Sequence, residues 1–210
     1  MFTGLIEDIG IVKEFKRVGS YHELKILSEK FTGELFLGQS ISVSGACLTV
    51  TEIQNNLFTV QIMNETIKKT WFAKNLHIGS KINLERALKL SDRLDGHLVL
   101  GHVDGTGVLK ELHGTETKEA KFFPEDSKLL TGVVPKGSIA IDGVSLTVID
   151  VSAKFFTVGL IPSTLKNCTL GEIREGAVVN LETDILGKYA AKFLMGQKDF
   201  YSELNLKELI

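Results

Sequence analysis

The chain has 210 residues, 43% of them hydrophobic and 24% charged, with 24 Lys plus Arg against 26 Asp plus Glu for a net charge of −2. These proportions exclude a disordered chain and supply a real core, and the lack of basic excess argues against a nucleic-acid or anionic-membrane partner. No apolar run approaches the roughly 20 residues of a membrane span, residues 1–10 lack the plan of a signal peptide, and Cys47 and Cys168 form neither a CxxC nor a metal spacing, so a cytoplasmic protein is expected.

Along the chain, Met1-Phe2-Thr3-Gly4 leads into a charged stretch over 13–29 that reads as a surface hairpin. Residues 40–45, 47–53, 57–63 and 81–88 are short runs rich in Val, Ile, Thr and Phe, bounded by Gly, Asn or Ser, which is how strands joined by turns read. Residues 94–97 are polar and contain a glycine, as suits a short linker. The pattern then starts again, with a polar hairpin over 110–126 and apolar runs after it. Helical spacing is clear only at the end, where Leu186, Tyr189, Ala190, Phe193 and Leu194 make one apolar face.

The second half repeats the first. Residues 40–50 and 138–148 share six of 11 positions, and residues 58–68 and 156–166 share five of 11 at the same offset. Residues 79–85 pair with 176–182, both ending Asn-Leu-Glu, and 4–12 pair with 101–109, sharing both glycines. The reading is all-β: two similar Greek-key barrels from an internal duplication, each of about six strands, plus a C-terminal α-helix. The expected domains are 1–96, 97–186 and a helix over 187–210 that joins subunits.

Taken together, Met1-Phe2-Thr3-Gly4, Gly45-Ala-Cys-Leu-Thr49, Gly96-His97-Leu-Val-Leu-Gly-His102 and Asp142-Gly-Val-Ser-Leu-Thr147 resemble the riboflavin synthase family. The resemblance implies two lumazine-binding barrels and a dismutation of two 6,7-dimethyl-8-ribityllumazine molecules. One gives a four-carbon unit to the other, yielding riboflavin and 5-amino-6-ribitylamino-pyrimidinedione. It also implies a homotrimer with its productive site between barrels of neighbouring subunits and no cofactor, and it leaves open whether lumazine synthase associates as a further partner.

Repeat alignment sets Cys47 opposite Ser145, Leu5 opposite His102, Ala87 opposite Asp184, Gly38 opposite Lys136, and Asn64-Glu65 opposite Pro162-Ser163. Polar side chains of catalytic type are thus concentrated in the second copy. By resemblance, Phe2, Cys47, His102, Lys136, Ser145 and Asp184 line the pteridine sites, with His102 and Asp184 near Ser145. On the same basis the substrate sites take Gly4, Leu5, Ile6, Cys47, Leu48, Thr49, Gln61, Ile62, Met63, Asn64, Glu65, Thr66, Gly101, His102 and Val103, together with Lys136, Ser145, Leu146, Thr147, Gly159, Leu160, Ile161, Pro162, Ser163 and Thr164. Cys168 lies outside these blocks.

Other readings fit less well. His97 and His102 lack a third ligand at suitable spacing, so no metal is expected. Gly143-Val-Ser-Leu-Thr is not a G-x-S-x-G elbow, and residues 101–107 follow no βαβ unit, which removes a hydrolytic triad and a dinucleotide loop. A non-catalytic lumazine binder is the nearest rival, and a purely structural double barrel is the next.

Overall fold

A computed structural model describes residues 1–31 and 33–203, with side chains described as far as Leu194. Among the described residues, strands form two closed antiparallel barrels of one topology. In the first, β1 (Asp8–Val18), β2 (Tyr21–Leu27), β3 (Ser40–Val43), β4 (Ala46–Gln54), β5 (Leu57–Met63) and β6 (Lys81–Arg86) run in the order β1-β2-β5-β4-β3-β6. The second repeats this circuit with β7 (Gly105–His113), β8 (Lys118–Pro124), β9 (Ser138–Ile141), β10 (Val144–Val151), β11 (Phe156–Leu160) and β12 (Val178–Thr183). Closure leaves no open sheet edge.

The period-2 pattern explains each core. On β4, Ala46, Leu48 and Val50 point inward while Thr49 and Thr51 face out; on β10, Val144, Leu146 and Val148 do the same. Register breaks fall at matching places, between Val12 and Glu14 and between Leu109 and Glu111, and again between Val50 and Glu52 and between Val148 and Asp150. Such bulges bend a strand and tighten the curl of a small barrel. The 110–126 stretch is a hairpin, but its alternate residues Ala120 and Phe122 are fully buried, so only its outer face is solvated.

Two sequence expectations need correction. Helices were legible only at the C-terminus, yet α1 (Asn64–Lys69), α2 (Phe72–Asn75) and α3 (Pro162–Asn167) follow β5 and β11, and 3-10 turns span 127–132 and 169–171. Four to six residues are too short to display a 3.6-residue period. The connection between barrels is also no brief polar linker. It runs from the end of β6 at Arg86 to the start of β7 at Gly105, and within it Val99 pairs with Phe2 as an isolated antiparallel bridge. Phe2 and Val99 are fully buried and, with Ala140, form a small apolar cluster between the barrels.

The C-terminal helix α4 spans Ile185–Glu203. Asp184 caps its start by accepting from the N–H of Leu186, and Lys188 reaches Asp104 at 2.7 Å. The apolar face does not dock on its own barrel: Leu186, Tyr189, Phe193 and Leu194 are 63–68% exposed. Residues 204–210 of the expected helical segment lie outside the described residues.

Candidate functional site: barrels crossed by exchanged segments

The site is built from the segments that lead into each barrel. Residues 3–7 precede β1, but the carbonyl of Gly4 accepts from the N–H of Ser145 in the second barrel at 2.9 Å. Residues 100–104 precede β7, but the carbonyl of Gly101 accepts from the N–H of Cys47 in the first barrel at 2.8 Å. Packing follows the same exchange: Ile6 joins the apolar core of the second barrel and Val103 that of the first. Each barrel is thus met by the leader of the other.

A buried carboxylate holds each leader in place. Glu85 accepts from the N–H and hydroxyl of Thr3 at 2.6 and 2.7 Å and from the N–H of Gly4 at 3.0 Å. Glu182 accepts from the N–H groups of Leu100 and Gly101 at 2.8 and 2.9 Å. Burial raises the pKa of both carboxyls, and these hydrogen bonds oppose it. The glycines are required by geometry. Gly4 and Gly101 have φ of +81° and +80°, and a Cβ on either would lie 2.6 or 2.5 Å from the Cβ of Ser145 or Cys47.

The barrels meet through a second matched set. Asn83 and Asn180, buried on β6 and β12, each send a side-chain amide across the joint. Asn83 donates to the carbonyl of Asp142 and accepts from the N–H of Thr169; Asn180 donates to the carbonyl of Ser44 and accepts from the N–H of Trp71. The repeated Asn-Leu-Glu therefore supplies both the joint and the leader anchors. The sequence displayed that repeat but gave no hint that its polar groups face the other barrel.

At the second pocket a hydroxyl meets an imidazole. Ser145 Oγ lies 2.7 Å from Nδ1 of His97, which is only 8% exposed. Burial lowers the imidazole pKa below its ordinary value, and the Asp184 carboxylate pulls it partway back. A neutral imidazole on a hydroxyl, under the field of a carboxylate, can take a proton from that hydroxyl and return it. Within the chain the imidazole on Ser145 is His97; the expected His102 is exposed and follows Gly101, whose carbonyl meets Cys47. Spacing alone does not reveal this, because His97 and Ser145 are 48 residues apart.

A cavity of about 180 Å³ opens beside Ser145, and its wall brings together the expected Gly4, Leu5, Ile6, Ser163 and Thr164. Cys168 is also on that wall, its thiol donating to the carbonyl of Thr164, although it lay outside the sequence blocks. A larger cleft of about 540 Å³ flanks the first barrel, where Thr3, Leu5, Glu85 and Ala87 contribute.

Other expected residues divide by direction. Leu48 and Ile62, and Leu146 and Leu160, turn their side chains into the cores and have only backbone to offer a ligand. Thr49, Gln61 and Met63, with Thr147, Gly159 and Ile161, face outward, and Asn64, Glu65 and Thr66 form the first turn of α1 as Pro162, Ser163 and Thr164 form that of α3. Phe2 lies wholly within the inter-barrel cluster, with Cys47 packed against it. Lys136 is exposed and holds φ +64° where its counterpart Gly38 has φ +84°; the two N–H groups bond Val148 and Val50 alike.

A family profile described as the lumazine-binding domain matches residues 3–87 and again residues 100–184. The fold is likewise that of LumP solved with riboflavin, at TM-score 0.78 and 24% identity over 87% of this chain and 99% of that one. LumP solved with 6,7-dimethyl-8-(1'-D-ribityl) lumazine aligns at TM-score 0.77 and 23% identity, with the same coverage. The duplicated barrels with exchanged leaders are thus a pair of lumazine-binding domains. Within that class, the chain is 41% identical over 195 residues to the riboflavin synthase of Actinobacillus pleuropneumoniae, covering 93% of this chain and 90% of that protein. It is 41% identical to that of Bacillus subtilis over 92% of this chain and 90% of that protein, and 36% identical to that of Schizosaccharomyces pombe over 92% and 94%. The chain belongs to the riboflavin synthase family.

Proposed function

We propose that the protein converts two molecules of 6,7-dimethyl-8-ribityllumazine into riboflavin and 5-amino-6-ribitylamino-pyrimidinedione, one lumazine in each type of pocket. The observation that carries this reading is the inequality of two otherwise matched pockets: Ser145, His97 and Asp184 at one, Cys47 and Ala87 at the other. Two identical substrates must play different parts, donor and acceptor, and two copies of one pocket with different side chains suit that need.

The chemistry asks for proton movement and alignment. A ring methyl of one lumazine loses a proton, the anion spreads into the fused ring, and the other lumazine accepts a nucleophile before the rings join. The two products contain the atoms of the two substrates, so the balance needs no external oxidant or reductant. His97 takes the proton from Ser145, or from a nucleophile bound beside it, and returns it later in the cycle. Backbone groups of the two leaders, 4–6 and 101–103, read the polar edges of the rings. Holding two flat rings in register lowers the barrier by about 7–11 kcal/mol.

The reading extends to assembly. A pocket of one barrel is completed by the opposite barrel of a neighbouring subunit in a homotrimer. The exposed face of Leu186, Tyr189, Phe193 and Leu194 supports this, since burying each contributes roughly 1.5–3 kcal/mol. Free thiols at Cys47 and Cys168 suit the reducing cytoplasm. Association with lumazine synthase, which would deliver substrate directly, is the remaining partner in this reading.

Incubating the purified protein with 6,7-dimethyl-8-ribityllumazine alone tests the reaction. Riboflavin and the pyrimidinedione are expected in equal amounts; lumazine bound but unchanged would mean a binding protein. Truncation after Gly187, followed by light scattering, tests assembly: a monomer that still binds lumazine without forming riboflavin is expected, and a fully active monomer would end the shared-site reading.

A further inference from the structure

One buried titratable group takes no part in the chemistry above. Asp142 lies in the β9–β10 turn, three positions before Ser145 on the same hairpin, and is 6% exposed. The turn has φ of +45° and +79° at Asp142 and Gly143, and its counterpart Ser44–Gly45 has +41° and +83°, the pattern of tight primed hairpin turns. The two turns abut at the centre of the joint. A Cβ on Gly45 would stand 2.8 Å from the N of Gly143, and one on Gly143 2.9 Å from the N of Gly45.

Here the matched halves part. One carboxylate oxygen of Asp142 accepts from the indole Nε1 of Trp71 at 2.8 Å and from the N–H of Asn180 at 2.8 Å. Trp71 belongs to the first barrel's α1–α2 corner, so this is a side-chain bond between barrels. At the counterpart, the hydroxyl of Ser44 accepts from the N–H of Asn83 within its own barrel and, among the described residues, bonds nothing in the other. Thr169, standing where Trp71 stands in the other half, contributes its backbone N–H alone.

We propose that Asp142 and Trp71 form a proton-operated latch between the barrels, closed while Asp142 is protonated and loosened when it ionises, and that the latch positions Ser145 against His97. The second half of this proposal rests on the reading of Ser145 as the reacting centre.

The surroundings of Asp142 give the direction. Facing it are the indole of Trp71, the N–H of Asn180 on β12, the Asn83 amide on β6 at its carbonyl, the Ser44–Gly45 turn, and the thiol of Cys168 ahead of the 169–171 turn. Cys168 alone among these titrates; burial lifts its pKa and the charge of Asp142 adds to the rise. Among the described residues no cation offsets an ionised Asp142, so burial pushes its pKa up to about 7 against the N–H groups that favour the anion. A buried carboxylate with no counter-charge gains by meeting water, and parting of Trp71 from the turn would admit it.

Trp71 is the only tryptophan in the chain, so its emission reports on the latch. Intact protein is titrated from mildly acid to mildly alkaline pH, following fluorescence and, in parallel, riboflavin formation from 6,7-dimethyl-8-ribityllumazine. Expected is an emission transition with midpoint near 7, together with a fall in kcat, at little-changed KM, above that midpoint. Asp142→Asn keeps the acceptor oxygen and tolerates positive φ, so its emission and kcat should stay level through that range. Asp142→Ser, which copies Ser44, should also be level and serves if the amide variant does not fold. Cys168→Ser should retain the emission transition. A level wild-type titration, or a transition that survives in Asp142→Asn and Asp142→Ser, overturns the latch. An emission transition that depends on Asp142 beside a kcat profile that does not overturns the link to Ser145. That same transition with no riboflavin formed at any pH supports the latch and overturns the reaction reading instead.

Discussion

The two barrels have the same strand order, the same bulge positions, the same Asn-Leu-Glu anchors and the same exchange of leaders, yet matched positions differ in chemistry, four of them in one direction. Cys47 stands against Ser145, Ala87 against Asp184, Ser44 against Asp142 and Gly38 against Lys136. Each difference places the more polar or more strained residue in the second barrel. Backbone exchange is therefore the shared frame, and function is assigned by side chains mounted on it. A frame this symmetrical cannot distinguish two identical ligands; only those side chains can.

The largest effect that would sharpen the comparison is kinetic. Ser145→Ala or His97→Ala should lower riboflavin formation by about 10²–10⁴-fold, the range of a lost acid–base group, while Cys47→Ser should lower it less than about tenfold. Equal losses from Ser145→Ala and Cys47→Ala in one steady-state assay would break the comparison.

Next is stability against pH. The folded-state pKa of Asp142, about 7, lies above its ordinary 3.8, so the folded chain holds a proton that the unfolded chain releases. Its contribution is fully present below about pH 4 and is lost as pH rises through about 7, up to about 4 kcal/mol in all. Denaturant unfolding on both sides of that window should show the loss in the wild type and not in Asp142→Asn. Ser44, at the matching turn, brings no such dependence.

Where the barrels are alike, matched substitutions should act alike. Gly4→Ala and Gly101→Ala each set a Cβ against the backbone and Cβ of the opposite barrel at positive φ, and each should destabilise by about 3 kcal/mol in thermal unfolding. A mild result for one alone would mean that the two exchanges are not equivalent. The smallest effect has the opposite sign: Lys136→Gly, which copies Gly38, should stabilise by about 1 kcal/mol by relieving a left-handed backbone.

The barrels were legible in the sequence because strand alternation and repeat offset are one-dimensional signals. Val43, Leu48 and Val50 recur as Ile141, Leu146 and Val148, and both sets are buried. The family motifs likewise carried the leaders and the hairpin turns. What escaped was whatever depends on a meeting across the chain. His97 read as a residue in a polar stretch because no pattern of spacing couples it to Ser145, and Asn83 and Asn180 read only as members of the repeated Asn-Leu-Glu for the same reason. Asp142 and Trp71 sit 71 positions apart in different repeats, and each is ordinary in its local context. Cys168 entered the pocket wall only through the short α3 helix, whose length hides its period.

The exchanged leaders also bear on how the chain is made. Emerging from the ribosome, the first barrel has its strands before it has its wall, because Gly101 and Val103 are still unsynthesised; its pocket stays open while the connection is translated. The second barrel meets the reverse situation. Thr3, Gly4 and their anchor Glu85 all precede β10 in the chain, so the edge that Ser145 joins can be set before Ser145 is made. A molecule symmetrical when finished is thus asymmetrical in assembly, with its first copy serving as the template on which the second is closed.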